Sequence, residues 1–327
     1  MRAMVLEAAG SALVERAMPE APLQQGQIRL RVEACGVCRS DLHLLDGELP
    51  QSTLPIVPGH EIVGVVVERG PAVDTFTLGQ RVGVPWLGRT CGRCRHCLDG
   101  QENLCDAPEF TGCTRHGGFA THAIADAAWC FALPEDSRPE ALAPLLCAGL
   151  IGWRALQAAG PALRLGIYGL GAAGSLIAQV ALRQGRDVVV FTHPGDAQRQ
   201  AFARALGITK ALDSTQVLDD TLDAAILFAP VGELVPLALQ NVRKGGTVVC
   251  GGIHMSQIPA MPYSLLWGER RLVSVANLTR RDAREFLSVA HNMQLRPQTS
   301  LYRLQDANRA LKDLRHGRFD GAAVLVP

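Results

Sequence analysis

The sequence predicts an α/β chain in two unlike parts: a β-rich first part carrying metal-binding loops, and a second part built on a doubly wound parallel sheet. Three observations predict this. Up to about residue 147 the chain is dense in β-branched runs broken by Pro and Gly. From about residue 163 it alternates short apolar runs with helical patterns. The change of rhythm coincides with the end of the cysteine- and histidine-bearing segments.

Size and charge agree with a two-part globular chain. At 327 residues, roughly two domains are expected. Lys+Arg 32 against Asp+Glu 31 leaves a net charge of +1, which argues against a nucleic-acid partner. Arg270–Arg271 and Arg280–Arg281 read as solvated basic pairs. No stretch of 18 apolar residues predicts a membrane span, and the Met1–Gly10 segment, with Glu7 inside it, lacks a signal-peptide pattern. Ten cysteines without a secretory signal fit a reducing compartment. We expect a cytoplasmic protein.

In the first part, Ile28–Glu33 alternates apolar and polar residues and Ile62–Glu68 is a β-branched run; both read as strands. Pro55, Pro58, Gly59, Gly79 and Gly83 punctuate the rest. In the second part, strands are expected at Leu163–Tyr168, Val188–Thr192, Ala224–Phe228, Thr247–Cys250 and Leu272–Ala276. Helices are expected at Ala173–Gln184, Ala197–Leu206 and Leu234–Val242, and this alternation implies a parallel sheet. Helical patterns follow at Asp282–Asn292 and Leu304–Arg315. The last strand, Ala322–Val326, is expected to return to the first domain.

Gly169-Leu170-Gly171-Ala172-Ala173-Gly174 follows a strand and opens a helix. The first glycine permits a tight turn, the second lets backbone approach a pyrophosphate, and the third allows close helix packing. The helix N-terminus adds unpaired N–H groups. A dinucleotide is therefore the expected ligand. The boundaries follow as 1–148 for the first domain, 149–281 for the Rossmann dinucleotide domain and 282–327 for the returning segment.

Cys91, Cys94, Cys97 and Cys105 form a tight run whose spacing lets four thiolates converge on one Zn²⁺, a closed and therefore structural site. His96 would be a fifth ligand and reads as a solvent-facing neighbour. Cys35 is expected to pack as a small hydrophobe, and Cys113, Cys130 and Cys250 to be structural.

Cys35-Gly36-Val37-Cys38-Arg39-Ser40-Asp41-Leu42-His43, Gly59-His60-Glu61 and Pro144-Leu145-Leu146-Cys147-Ala148-Gly149 closely resemble the zinc-dependent alcohol dehydrogenases of the medium-chain dehydrogenase/reductase superfamily. The resemblance spans essentially the whole chain and implies a GroES-like catalytic domain ahead of the Rossmann domain. It implies that Cys38, His60 and Cys147 bind a catalytic zinc, with Glu61 close behind and exchanging transiently with the substrate oxygen, and Asp41 orienting His60. Two zinc ions per subunit are expected, one catalytic and one structural. Cys147, where polyol and threonine dehydrogenases usually carry Glu, favours a simple alcohol. Ser40 resembles the first hydroxyl of a proton relay that runs through the cofactor ribose to His43 near solvent. Arg39 matches the residue that pairs with the cofactor pyrophosphate. Trp86 and Leu45 resemble residues lining the substrate pocket.

The activity so implied is reversible hydride transfer between a primary or secondary alcohol and NAD(P)⁺. The competing readings are a zinc-independent quinone or enoyl reductase on the same fold and a non-enzymatic dinucleotide-binding sensor. The second strand of the Rossmann domain ends at Thr192 where an Asp or Glu would select NAD. NADP(H) is therefore favoured, with Thr192, His193 and Arg199 expected around its phosphate. Ile151 and Ala322 also depart from the family pattern near the cofactor, and Asn277 and His254 are further candidates for cofactor contact. A homotetramer is expected, with a homodimer as the alternative.

Overall fold

The computed structural model describes residues 1–327, which divide into two compact units. The first comprises Met1–Ala148, Asn277–Glu285 and Pro297–Pro327, and the second Gly149–Ala276 and Phe286–Arg296. The tail therefore splits: its strands lie with the first unit, while 286–296 lies with the second. Phe286 explains the split, because its ring packs against Gly149, where a Cβ would come within 2.2 Å, and beside Trp153 at 6.2 Å.

In the first unit, a seven-stranded sheet runs in the order Thr299–Arg303, Ala322–Val326, Gln27–Val37, Glu61–Arg69, Arg81–Val84, Phe131–Ala132, with His122–Asp126 pairing alongside Gln27–Val37. The pairings are antiparallel except for that between Thr299–Arg303 and Ala322–Val326. Ala322–Val326 returns as expected, pairing Ala323 with Val37 and Leu325 with Cys35. Gln27–Val37 is the central strand and extends four residues past the alternating segment. It has neighbours on both edges and is buried along most of its length, so Ala34-Cys35-Gly36-Val37 shows no alternation. Ile28, Leu30, Ile62, Val66 and Phe119 anchor the core, each such side chain contributing about 1.5–3 kcal/mol by leaving water.

In the second unit, six parallel strands run in the order Lys210–Asp213, Asp187–Thr192, Arg164–Tyr168, Leu222–Leu227, Val242–Cys250, Arg271–Ser274. This is the doubly wound order in which the strand sequence reverses beside the first strand, where the glycine loop follows Tyr168. Helices Ala172–Arg183, Ala197–Ala205 and Leu234–Asn241 connect the strands. Tyr168 stacks on Phe191 at 4.2 Å inside the core, and its hydroxyl accepts a hydrogen bond from Asn241. Besides the short 3₁₀ turn Tyr263–Leu265, the third strand, Lys210–Asp213, and the helix Ala148–Ala159 were not anticipated here. No single helix is long and apolar enough to cross a membrane.

Candidate active site and metal centres

The catalytic cluster is assembled at three chain turns of the first unit. Cys38 ends the central strand and caps the helix Arg39–Leu45. His60 and Glu61 follow Gly59, whose φ of +94° permits the turn and whose missing side chain makes room for Phe119. Cys147 sits between the 3₁₀ turn Ala143–Leu146 and the helix Ala148–Ala159. The donor atoms of Cys38, His60, Glu61 and Cys147 all lie within 4.8 Å of one another. The two sulfurs are 3.8 Å apart, nearly twice a disulfide bond. Two sulfurs each about 2.3 Å from a tetrahedral zinc would stand about 3.8 Å apart.

The chemistry of this donor set also fits a cation. Cys38 is held well below the usual thiol range by its hydrogen bond with Cys147 and by His60. Cys147 is pushed well above it by the same contact and by burial. Burial likewise raises the Glu61 carboxyl, with the Cys38 charge adding to it. Burial works to lower His60, but the charge of Asp41 and contacts with Asp41 and Cys38 outweigh it and raise the imidazole. Two thiolates and a carboxylate packed together cannot all ionise without a compensating positive charge. Neither ring nitrogen of His60 makes a hydrogen bond, and Glu61 Oε2 is equally orphaned, although both residues are buried. Buried polar atoms without partners are rare, and a metal ion would satisfy them.

Asp41 stands behind His60. One oxygen accepts from Cys38 N at 2.8 Å; the other accepts from Gly59 N at 3.2 Å and lies 3.4 Å from His60 Nδ1. The last contact is an ion-pair distance without hydrogen-bond alignment. It points Nδ1 at the carboxylate and leaves Nε2 for a metal. Trp86 packs edge-on against the His60 ring at 4.8 Å and stacks on Phe110 at 5.2 Å. Ser40 Oγ is 3.9 Å from Cys38 Sγ, and Arg39 is exposed at the start of the same helix.

Several expectations need revision. Glu61 lies among the donors, not behind them. Gly36 makes this possible, because a Cβ there would meet Glu61 Oε2 at 1.7 Å. His43 is buried, not near solvent; its Nδ1 pairs with Glu48 Oε2 at 2.5 Å, and Glu48, with its side chain 41% exposed, provides the contact with water. Glu48 had no sequence signal, because the pair closes through the Asp46–Gly47 turn, with Gly47 at φ +75°. Leu45 lines a surface groove with Ser11, Leu42, Asn308 and Leu311. It lies some seven residues along the helix from Cys38, on the order of 10 Å.

Cys91, Cys94, Cys97 and Cys105 form the second donor set, again within 4.8 Å, with Cys91 and Cys97 sulfurs 3.9 Å apart. Backbone N–H groups of Cys94 and Ala107 point at the sulfurs of Cys91 and Cys105. The Cys91 thiol is held down to about 6 by the N–H groups of Arg93 and Cys94. Cys97 is pushed up to about 12, first by burial and then by contacts with Cys94 and Cys105. His96 is half-buried and outside the set. Cys35, Cys113 and Cys130 are buried and Cys250 half-buried, all unpaired.

In the second unit each fingerprint glycine meets a distinct constraint. Gly169 has φ +95°, and a Cβ on Gly174 would strike Gly169 O at 2.2 Å. A Cβ on Gly171 would meet nothing within 4 Å, so that glycine keeps open a surface a pyrophosphate can approach. Thr192 departs from expectation. It is buried, and its hydroxyl lies 3.4 Å from the carbonyls of His193 and Leu212 and from Gln200 Nε2. His193 Nδ1 lies 3.0 Å from Pro194 O. The grounds for favouring NADP(H) therefore weaken, since the Thr192 hydroxyl is already engaged.

The family profile described as "Alcohol dehydrogenase GroES-like domain" matches residues 24–135. The chain is 44% identical over 308 residues to a probable alcohol dehydrogenase of Mycobacterium tuberculosis, covering 92% of this chain and 88% of that one. It is 32% identical to an alcohol dehydrogenase of Geobacillus stearothermophilus, covering 99% and 98% of the two chains. The structure of acetophenone reductase from Geotrichum candidum in complex with NAD superposes with a TM-score of 0.89 at 27% identity, covering 100% of this chain and 97% of that one. With the two donor sets and the glycine loop, these similarities show that the chain belongs to the zinc-type, NAD(P)-dependent alcohol dehydrogenases of the medium-chain superfamily.

Proposed function

We propose that the chain catalyses reversible hydride transfer between small primary or secondary alcohols and NAD(P)⁺ at a zinc held by Cys38, His60 and Cys147. Glu61 is available as an exchanging fourth donor. Cys91, Cys94, Cys97 and Cys105 hold a second, structural zinc. The observation carrying this reading is the convergence of Cys38, His60, Glu61 and Cys147 in one buried cluster, with donor atoms within 4.8 Å.

Zinc in that set supplies a Lewis acid that lowers the pKa of an alcohol hydroxyl, and the dinucleotide supplies the carbon that accepts the hydride. The side chains do the remainder. Asp41 holds His60 to one ring orientation. Trp86 forms an apolar wall beside His60 and keeps water from that side. Ser40 would accept the alcohol proton at Oγ while releasing its own hydroxyl proton, and His43 Nε2, the nitrogen turned away from Glu48, is available as the final acceptor. The Glu48 carboxylate faces Nδ1 and so fixes that tautomer and the ring's orientation. Gly169, Gly171 and Gly174 would shape a cradle for the pyrophosphate, and Arg39, exposed on its own helix, would be available to pair with that anion.

We further propose a cytoplasmic homotetramer assembled from dimers. Arg271–Ser274 is an edge strand, and Tyr263 and Trp267 nearby are 70% and 64% exposed, features suited to a self-complementary interface. Sedimentation of the purified protein tests the assembly. The activity is tested by initial-rate measurements with a panel of alcohols before and after zinc chelation, alongside dinucleotide titration. Chelation should abolish oxidation and leave dinucleotide binding largely intact. Unchanged turnover would refute the zinc mechanism.

A further inference from the structure

We infer that Asp213 makes the dinucleotide domain select NAD(H) over NADP(H). The inference rests on the dehydrogenase reading above and concerns which of the two carriers that site takes. In a doubly wound domain the 2′ position of the adenosine ribose lies at the turn after the second strand, where an acid normally rejects a 2′-phosphate. Here the second strand ends at Thr192, and the acid is missing from it. Asp213, at the end of the third strand, is the parallel register partner of Thr192. Its Oδ1 accepts from Gly195 N at 3.3 Å and from Gln200 Nε2 at 2.8 Å. The carboxylate thus reaches the same turn from one strand over.

The donors of that turn are committed to acids. A 2′-phosphate would bring roughly −1.5 to −2 charges and needs N–H groups and cations to hold it. Gly195 N already faces Asp213, and Arg199 N donates to Asp196 Oδ1 at 2.9 Å at the start of the helix Ala197–Ala205. The turn carries two cations, His193 and Arg199, and two carboxylates, Asp196 and Asp213. A surface hollow of about 270 Å³ opens here, lined by Gly195, Ala197, Gln200, Leu212, Asp213 and Gln216. Its size admits a ribose edge, while its charge opposes a dianion.

The test is calorimetric titration of the intact, zinc-loaded protein with NADH and NADPH, for the parent and for Asp213→Asn and Asp213→Glu. NADH should bind the parent at least tenfold more tightly. Asp213→Asn should narrow the ratio at least fivefold, chiefly by strengthening NADPH, while Asp213→Glu should keep it. In the parent alone, raising ionic strength should narrow the ratio, because salt screens the repulsion; this keeps the inference testable if a variant fails to fold. NADPH binding as tightly as NADH, a ratio unmoved by Asp213→Asn in a folded variant, or a ratio indifferent to salt would each overturn it. Binding of neither dinucleotide would instead remove the dehydrogenase reading itself.

Discussion

Removing the Asp41 carboxylate should damage folding and metal retention together, and the structure says by how much. Asp41 is 1% exposed and accepts from Cys38 N and Gly59 N at 2.8 and 3.2 Å while facing His60 Nδ1 at 3.4 Å. Asp41→Ala orphans two backbone donors, at about 1–3 kcal/mol each. The expected loss is roughly 2–6 kcal/mol, with the lower end applying if water enters the space. Asp41→Asn keeps one accepting oxygen but sets an amide N–H against a backbone N–H, so about half of that loss should remain. Freed of its carboxylate, His60 loses its fixed orientation, and zinc affinity should drop about 10–100-fold. Urea unfolding of zinc-free protein isolates the first effect, and competition with a chromophoric chelator measures the second. An Asp41→Ala protein that unfolds within about 0.5 kcal/mol of the parent and holds zinc equally well would refute the reasoning, because 0.5 is below the cost of a single orphaned donor.

Gly36→Ala should dislodge Glu61, since the new methyl would occupy the place of its Oε2; a destabilisation of about 1–3 kcal/mol is expected, read by thermal unfolding. Glu48→Gln should lower alcohol oxidation about tenfold, because the His43 ring loses the carboxylate that holds its orientation; Glu48→Asp should restore much of it. Trp86→Ala should raise turnover of bulky alcohols relative to ethanol, measured as a ratio of kcat/KM values. In the four-cysteine lobe, Cys91 has its folded pKa depressed to about 6. Its contribution is therefore complete above the unfolded thiol value, about 8.5, and is lost as pH falls through about 6. Urea unfolding of the zinc-free protein across that range should show a small loss of stability as pH falls.

The Rossmann strands were legible because fully buried parallel strands leave uninterrupted apolar runs. Ala224–Phe228 and Val188–Thr192 were each located to within two residues. Lys210–Asp213 escaped because an edge strand of one exposed and three half-buried residues, Lys-Ala-Leu-Asp, has no buried run to betray it. Ala148–Ala159, AGLIGWRALQAA, had a helical periodicity as strong as that of Ala172–Arg183, so its sequence did carry the signal. The metal donors were visible through their local motifs. What those motifs could not convey was anything set by distance across the fold: Glu61 among the donors, Glu48 behind His43, and Asp213 beside the turn after Thr192. Each depends on a partner supplied by a turn or a neighbouring strand, and no spacing along the chain encodes that.

Anomalous diffraction at the zinc edge from crystals of the purified protein tests the central claim most directly. Two peaks per chain are predicted, one bounded by Cys38, His60 and Cys147 and the other by Cys91, Cys94, Cys97 and Cys105. A peak at the four-cysteine lobe alone, from protein fully active in alcohol oxidation, would contradict the account.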